Sequence, residues 1–216
     1  MSVDGEIRVA GTAVVLRDGP EGVETLMLRR PSKGSFAGAW VFPGGRVDPG
    51  DWADAEDEAD AARAAAVRET REETAIRIAD VTLLSRWTPP PEQPVKFRTW
   101  FFLARDLGDE VRVNPGEIEE AVWLSPEQVF AQHEASSLTL FPPTWVTLNG
   151  LLGHRTVDDA LAAVGEPALY ATNLRDGLDG RFALWAGDAE HADEPGGPDA
   201  RHRLLMGTLP WRYERR

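Results

Sequence analysis

Three glutamates, Glu69, Glu72 and Glu73, stand at i, i+3 and i+4 within Arg68-Glu69-Thr70-Arg71-Glu72-Glu73-Thr74-Ala75-Ile76. On a helix that spacing puts all three carboxylates on one face. Like charges so placed cost an isolated helix about 0.2–0.5 kcal/mol per pair. A divalent cation among them reverses the sign. Hard ions such as Mg²⁺ take carboxylate oxygens and keep several waters, which leaves positions for a phosphate. The plain alternative is a solvated face laced with Glu–Arg pairs. Upstream, Trp40-Val41-Phe42 is an apolar strand stopped by Pro43-Gly44-Gly45, and Asp48-Pro49-Gly50-Asp51 leads on towards the helix. A glycine-rich turn between strand and carboxylate helix is a place where backbone N–H groups meet phosphate.

The elements that must position these residues are legible as follows. Residues 7–16 (IRVAGTAVVL) and 23–28 read as two strands joined by the turn Asp18-Gly19-Pro20-Glu21-Gly22, hence a hairpin. Alanine, glutamate and arginine from Asp54 to about Thr74 give the composition of one helix. Ala62, Ala65 and Ala66 would let it pack closely, with Val67 and Ile76 buried. Residues 81–87, 97–104 and 121–124 read as strands. Ser125-Pro126-Glu127 opens a helix with a serine cap and a first-turn proline. Residues 142–153 and 157–164 are further helices, the second capped by Thr156 with Asp159 three residues on. Residues 182–185 and 203–206 can pair as strands around 187–200, a polar stretch that reads as a mobile loop. The sum is a single α+β domain.

Composition narrows the chemistry. The chain has 216 residues, with 23 basic and 36 acidic side chains and a net charge of −13. That balance argues against a nucleic-acid duplex or an anionic membrane as partner, since both need a basic face. The absence of cysteine removes disulfides, zinc–thiolate sites and thiol nucleophiles. Met1-Ser2-Val3-Asp4 is neither basic nor apolar, so no secretory signal is expected, and no apolar run approaches the roughly 18 residues of a membrane span. A cytoplasmic protein is the expectation. His133, His154, His191 and His202 show no metal-binding spacing and read as surface residues.

Taken together, Gly45, Asp51, Arg68, Glu69, Glu72, Glu73 and Ile76 resemble the signature of the Nudix hydrolases: a glycine, an acid, then Arg-Glu-x-x-Glu-Glu and an aliphatic residue. Three departures stand out. The first acid is an aspartate. The spacer is lengthened by the acidic Trp52-Ala53-Asp54-Ala55-Glu56-Asp57-Glu58-Ala59-Asp60, read as extra helical turns in preference to an acidic lip. Ala75 replaces the glycine that ends the helix, where φ > 0 disfavours alanine.

Leu28-Arg29-Arg30-Pro31-Ser32, the run from Phe36 to Gly45, Ser85-Arg86-Trp87-Thr88-Pro89 and Phe141-Pro142-Pro143-Thr144 are similar to the bacterial branch grouped with acyl-CoA diphosphatases. The likeness covers about residues 7–152 and leaves about 153–216 as a C-terminal extension of the same domain.

The resemblance implies a Nudix α/β/α sandwich with a mixed sheet. It also implies Mg²⁺- or Mn²⁺-dependent hydrolysis of a diphosphate in a small nucleotide- or CoA-type substrate. Glu69, Glu72 and Glu73 would be the metal ligands and Arg68 would orient them. Gly44 and Gly45 would keep the loop close. Glu117, or next Glu120, would be a further acid outside the motif, with Glu119 also available. Counter-charges for the substrate would come from Arg29, Arg30, Arg46, Lys96 or Arg98, with Lys96 and Arg98 reserved for the 3′-phosphate of CoA. The competing readings are an ADP-ribose or nucleoside diphosphate pyrophosphatase, and a Nudix-fold module that binds a nucleotide or CoA without cleaving it. A homodimer is open. Integrity of Arg68, Glu69, Glu72 and Glu73 favours an enzyme.

Overall fold

The computed structural model describes residues 7–33, 37–93 and 96–216. Met1 to Asp4 and Phe36, on which expectations rested above, lie outside them. In chain order the elements are β1 (Arg8–Asp18), β2 (Val23–Arg29), β3 (Trp40–Val41), β4 (Gly44–Arg46), a 3₁₀ turn (Pro49–Trp52), α1 (Glu58–Thr74), β5 (Ile78–Thr88), β6 (Phe97–Asp106), β7 (Glu120–Leu124), α2 (Pro126–Glu134), α3 (Pro142–Leu151), α4 (Val157–Ala162), β8 (Ala168–Ala171), β9 (Asn173–Gly177), β10 (Gly180–Leu184), β11 (His202–Leu205) and β12 (Arg212–Arg215).

The main sheet runs β3-β2-β1-β6-β5-β8, with β4 also on β1 and β7 also on β2. It is mixed: β1 with β6 and β5 with β8 are parallel, whereas the β1–β2 hairpin is antiparallel as its turn required. Period-2 alternation sends the side chains of β1 to both faces. Ala13 and Val15 meet Ala62 and Ala66 of α1, with Leu26, Phe102 and Ile118. Val14 and Leu16 face Val129 of α2, Trp145 and Leu148 of α3, and Val157 and Ala160 of α4. One helix on one face and three on the other make the expected α/β/α sandwich. Helix α1 lies very close to the sheet: a Cβ on Gly11 would sit 1.8 Å from the Ala62 carbonyl oxygen, so only glycine fits there.

Several expectations are corrected. Helix α1 begins at Glu58, capped by Asp57, whose carboxylate accepts from the Asp60 N–H at 2.9 Å. Residues 53–57 of the acidic insert are therefore turn and bend outside the helix, because Asp57 starts the helix late. Val67 is 40 % exposed on the outward side of α1, while Ile76 is buried. Ala75 does adopt the left-handed conformation, φ 62°. His133 and His191 are buried rather than superficial: His133 Nδ1 lies 3.0 Å from the Leu138 carbonyl, and His191 Nδ1 accepts from the Glu194 N–H.

The C-terminal strands form a second, antiparallel sheet, β12-β11-β10-β9. Its Ala183, Trp185 and Leu204 join the same cluster as Val14 and Leu16. Trp87 of β5 stacks on Tyr170 of β8 at 3.9 Å, and Trp185 stands edge-on to Trp87 at 5.6 Å. The 187–200 segment is organised around the fully buried Asp188, whose carboxylate takes hydrogen bonds from Arg203 and from the N–H groups of Glu190 and His202. Among the described residues no helix is long and apolar enough to cross a membrane.

Candidate active site

Arg68 is the hub. Its Nε and Nη2 donate to Asp51 at 3.1 and 2.9 Å, Nη1 reaches Glu69 at 3.0 Å and Glu72 at 2.9 Å, and Nη2 also meets the Arg46 carbonyl at 3.0 Å. Asp51 is buried and fixed in turn, since its Oδ2 accepts from the Asp48 N–H at 2.8 Å. Burial raises the Asp51 carboxyl, but hydrogen bonds from Arg68 and Asp48 outweigh it and hold the group below its ordinary value. Asp51 thus serves as the anchor of Arg68. The i,i+4 Arg68–Glu72 pair, the bland alternative from sequence, exists alongside this network.

Glu73 is nearly inaccessible, its side chain 3 % exposed. Its Oε2 accepts from the Gly44 N–H at 3.0 Å and its Oε1 from Arg30 Nη1 at 2.8 Å. Gly44 and Gly45 belong to β4, which pairs with β1 at Thr12 and Gly11, so the turn and α1 are hung from one strand. A Cβ on Gly45 would fall 2.4 Å from the Glu69 carboxylate, which shows how tightly the turn closes on the helix. Burial pushes the Glu73 carboxyl up to about 7; the Gly44 N–H and Arg30 oppose this, and the charges of Glu69 and Glu117 add to it. Burial likewise raises Glu69, against Arg68 and with Glu72 and Glu117.

Among the described residues no three carboxylate or imidazole side chains already converge on one ion position. Glu73 is turned to Gly44 and Arg30, and Glu69 and Glu72 to Arg68. The donor set still fits a hard divalent cation such as Mg²⁺ or Mn²⁺. It is all oxygen, and Glu69, Glu72, Glu73 and Glu117 outnumber the cations not already committed to Asp51.

The remaining sequence candidates separate. Glu117 lies near enough to raise both Glu69 and Glu73 electrostatically. Glu119 and Glu120 instead pair with Arg29, at 3.1 and 3.7 Å, and Glu119 also accepts from the Ser32 N–H. Arg30 enters the site; Arg46 contributes its carbonyl while its guanidinium pairs with Asp48. Lys96 accepts from the Arg8 N–H through its carbonyl, just before β6, and Arg98 is elsewhere. Arg98 pairs with Glu58 at 2.7 Å, at the start of α1 and eleven residues before Glu69, roughly 16 Å along the axis. The insert walls one side of the site. A groove of about 1050 Å³ lies between residues 50–60 and the outward face of α1, lined by Asp51, Asp54, Val67, Arg68 and Glu72 among others. The insert thus forms an acidic lip, where extra helical turns were the expectation.

Comparison with known proteins agrees with this geometry. The family described as NUDIX domain matches residues 7–142. A crystal structure of a Nudix hydrolase from Alicyclobacillus acidocaldarius is 27 % identical and aligns over 74 % of this chain and 98 % of that one, with a TM-score of 0.65. A MutT Nudix hydrolase from Burkholderia pseudomallei is 25 % identical over 67 % and 97 %, with a TM-score of 0.52. The Nudix domain of Shewanella oneidensis NrtR, solved with ADP-ribose, covers 67 % and 85 % at a TM-score of 0.51, but at 15 % identity the likeness is of fold alone. No protein of curated function matches the sequence. The family match, the sandwich and the glycine turn closed over the carboxylate helix place this chain among the Nudix hydrolases.

Proposed function

We propose that this hydrolase cleaves the diphosphate linkage of a nucleoside diphosphate-linked substrate with Mg²⁺ or Mn²⁺. The observation that carries the reading is Glu73, buried and charge-crowded, held against the Gly44 turn beside Glu69. A bound cation would supply charge neutralisation at the diphosphate and polarisation of its P–O bonds. Glu69, Glu72 and Glu73 would hold it. Arg68, clamped by Asp51, keeps Glu69 and Glu72 on the reacting side. The Gly44–Gly45 turn brings backbone close to the phosphates. Glu117 takes the proton of the attacking water, a role supported by its electrostatic reach to Glu69 and Glu73.

The likeness to the acyl-CoA branch favours CoA within this class. The position of Arg98 counts against it: a 3′-phosphate lies one ribose from the diphosphate, whereas Arg98 is bound to Glu58 at the far end of α1. We therefore assign the class without a CoA preference. The test is a phosphate-release screen over CoA, acyl-CoAs, ADP-ribose, NADH and nucleoside diphosphates and triphosphates with each ion. Turnover of at least one diphosphate under Mg²⁺ or Mn²⁺ is expected. Binding without turnover of any of them would leave a non-catalytic module instead.

A further inference from the structure

Among the described residues two arginines pair with Glu69, Glu72 or Glu73, and they are held very differently. Arg68 makes five hydrogen bonds and is gripped bidentately by a buried aspartate. Arg30 follows directly on β2, and its guanidinium is held through Nη1 on Glu73 Oε1, with its side chain 30 % exposed. Glu73 is too enclosed for water to solvate it, so its charged form needs a positive partner. Arg30 is that partner here. A divalent cation held by Glu73 would neutralise its charge and repel the Arg30 guanidinium, which loosens that pair. The Gly44 N–H, which carries no net charge, is under no such conflict. Arg30 and the Gly44 N–H meet on one carboxylate, so a released guanidinium lies beside the turn, free to pair bidentately with diphosphate oxygens.

We propose that Arg30 is an exchangeable counter-ion: it pairs with Glu73 when no cation is bound and passes to the diphosphate when one is. This rests on the reading of Glu73 as a cation ligand. It assigns the two arginines separate tasks, a fixed strut for Arg68 and a mobile substrate contact for Arg30.

The exchange predicts opposite effects on two ligands. In Arg30→Gln, Mn²⁺ alone, titrated by calorimetry or by electron paramagnetic resonance of the free ion, should bind roughly tenfold more tightly, because its competitor is gone. ADP, used as a diphosphate probe on the Mn²⁺-saturated protein, should bind roughly tenfold more weakly. A purely structural role would weaken both. Arg30→Lys keeps the charge but not the fork, so Mn²⁺ affinity should stay within about threefold of wild type while ADP affinity still falls. That variant decides the matter if Arg30→Gln fails to fold by tryptophan fluorescence. Unchanged or weaker Mn²⁺ binding in Arg30→Gln, or unchanged ADP binding in both variants, overturns the exchange. Wild-type protein that binds no Mn²⁺ at all would instead overturn the assignment of Glu73 beneath it.

Discussion

Glu72 and Glu73 are adjacent in sequence and opposite in environment: their side chains are 53 % and 3 % exposed. Substitution should separate function from stability accordingly. Glu72→Gln gives up one half-exposed ion pair with Arg68, worth about 0.5 kcal/mol at most, so its melting temperature should barely move. Its kcat should nevertheless fall roughly 10²–10³-fold, the usual consequence of removing one preorganised charge from a reacting centre. Near-normal turnover in Mg²⁺ would show that the site has been misassigned. Ala75 offers the converse case. It sits at φ 62°, where a side chain costs about 1–2 kcal/mol and glycine costs none. After allowance for the greater freedom of glycine in the unfolded chain, Ala75→Gly should stabilise by about 1 kcal/mol in urea titration. Loss of stability would mean that the helix end relaxes with alanine in ways glycine cannot use. At this scale the sequence was informative about type and spacing. It could not show that Asp51 would close on Arg68 across seventeen residues, because that contact depends on the 3₁₀ turn at Pro49–Trp52.

Elements with one apolar face and a capping residue were readable, because both signals are local. The β1–β2 hairpin, the Ser125 and Thr156 caps and the pairing of 182–185 with 203–206 are all present. Strands β9 (NLRDG) and β12 (RYER) escaped notice, since they are edge strands with little buried side-chain surface and show no alternation. The 187–200 segment misled for a related reason: its order comes from Asp188, a single buried charge in an otherwise polar stretch. Burial raises the Asp188 carboxyl, and Arg203 with the N–H groups of Glu190 and His202 more than reverses this, lowering its pKa to about 2. A depressed folded pKa means that the unfolded chain binds the proton first. The stabilisation is therefore complete above the unfolded value near 3.8 and disappears as pH falls towards 2. It amounts to about 2 kcal/mol. Asp188→Asn should lower stability at pH 7 and flatten the acid limb between those values; an unchanged acid limb would exclude the pair as its source.

At the scale of the molecule, the family match ends at residue 142 but the hydrophobic cluster continues through Trp185 and Leu204. Trp185 is fully buried, edge-on to both rings of the Trp87–Tyr170 stack. Trp185→Ala should cost about 3–5 kcal/mol, as much as an aromatic truncation inside the sandwich itself. A cost below about 1 kcal/mol would mark the second sheet as an independent appendage.

Strand β1 carries the Gly44–Gly45 turn along one edge, β6 along the other, and both hydrophobic clusters on its two faces. Heat inactivation should therefore have no early stage. An enzyme whose reacting groups sit on a detachable lid loses activity well before it melts, whereas here the turn can leave Glu73 only if the central strand lets go. Trp87 and Trp185, in the cluster opposite α1, report on that event from the far face. Residual activity and tryptophan emission, followed along one temperature ramp, should decline on a single curve. Activity vanishing several degrees below the fluorescence transition would show that the turn has a melting point of its own.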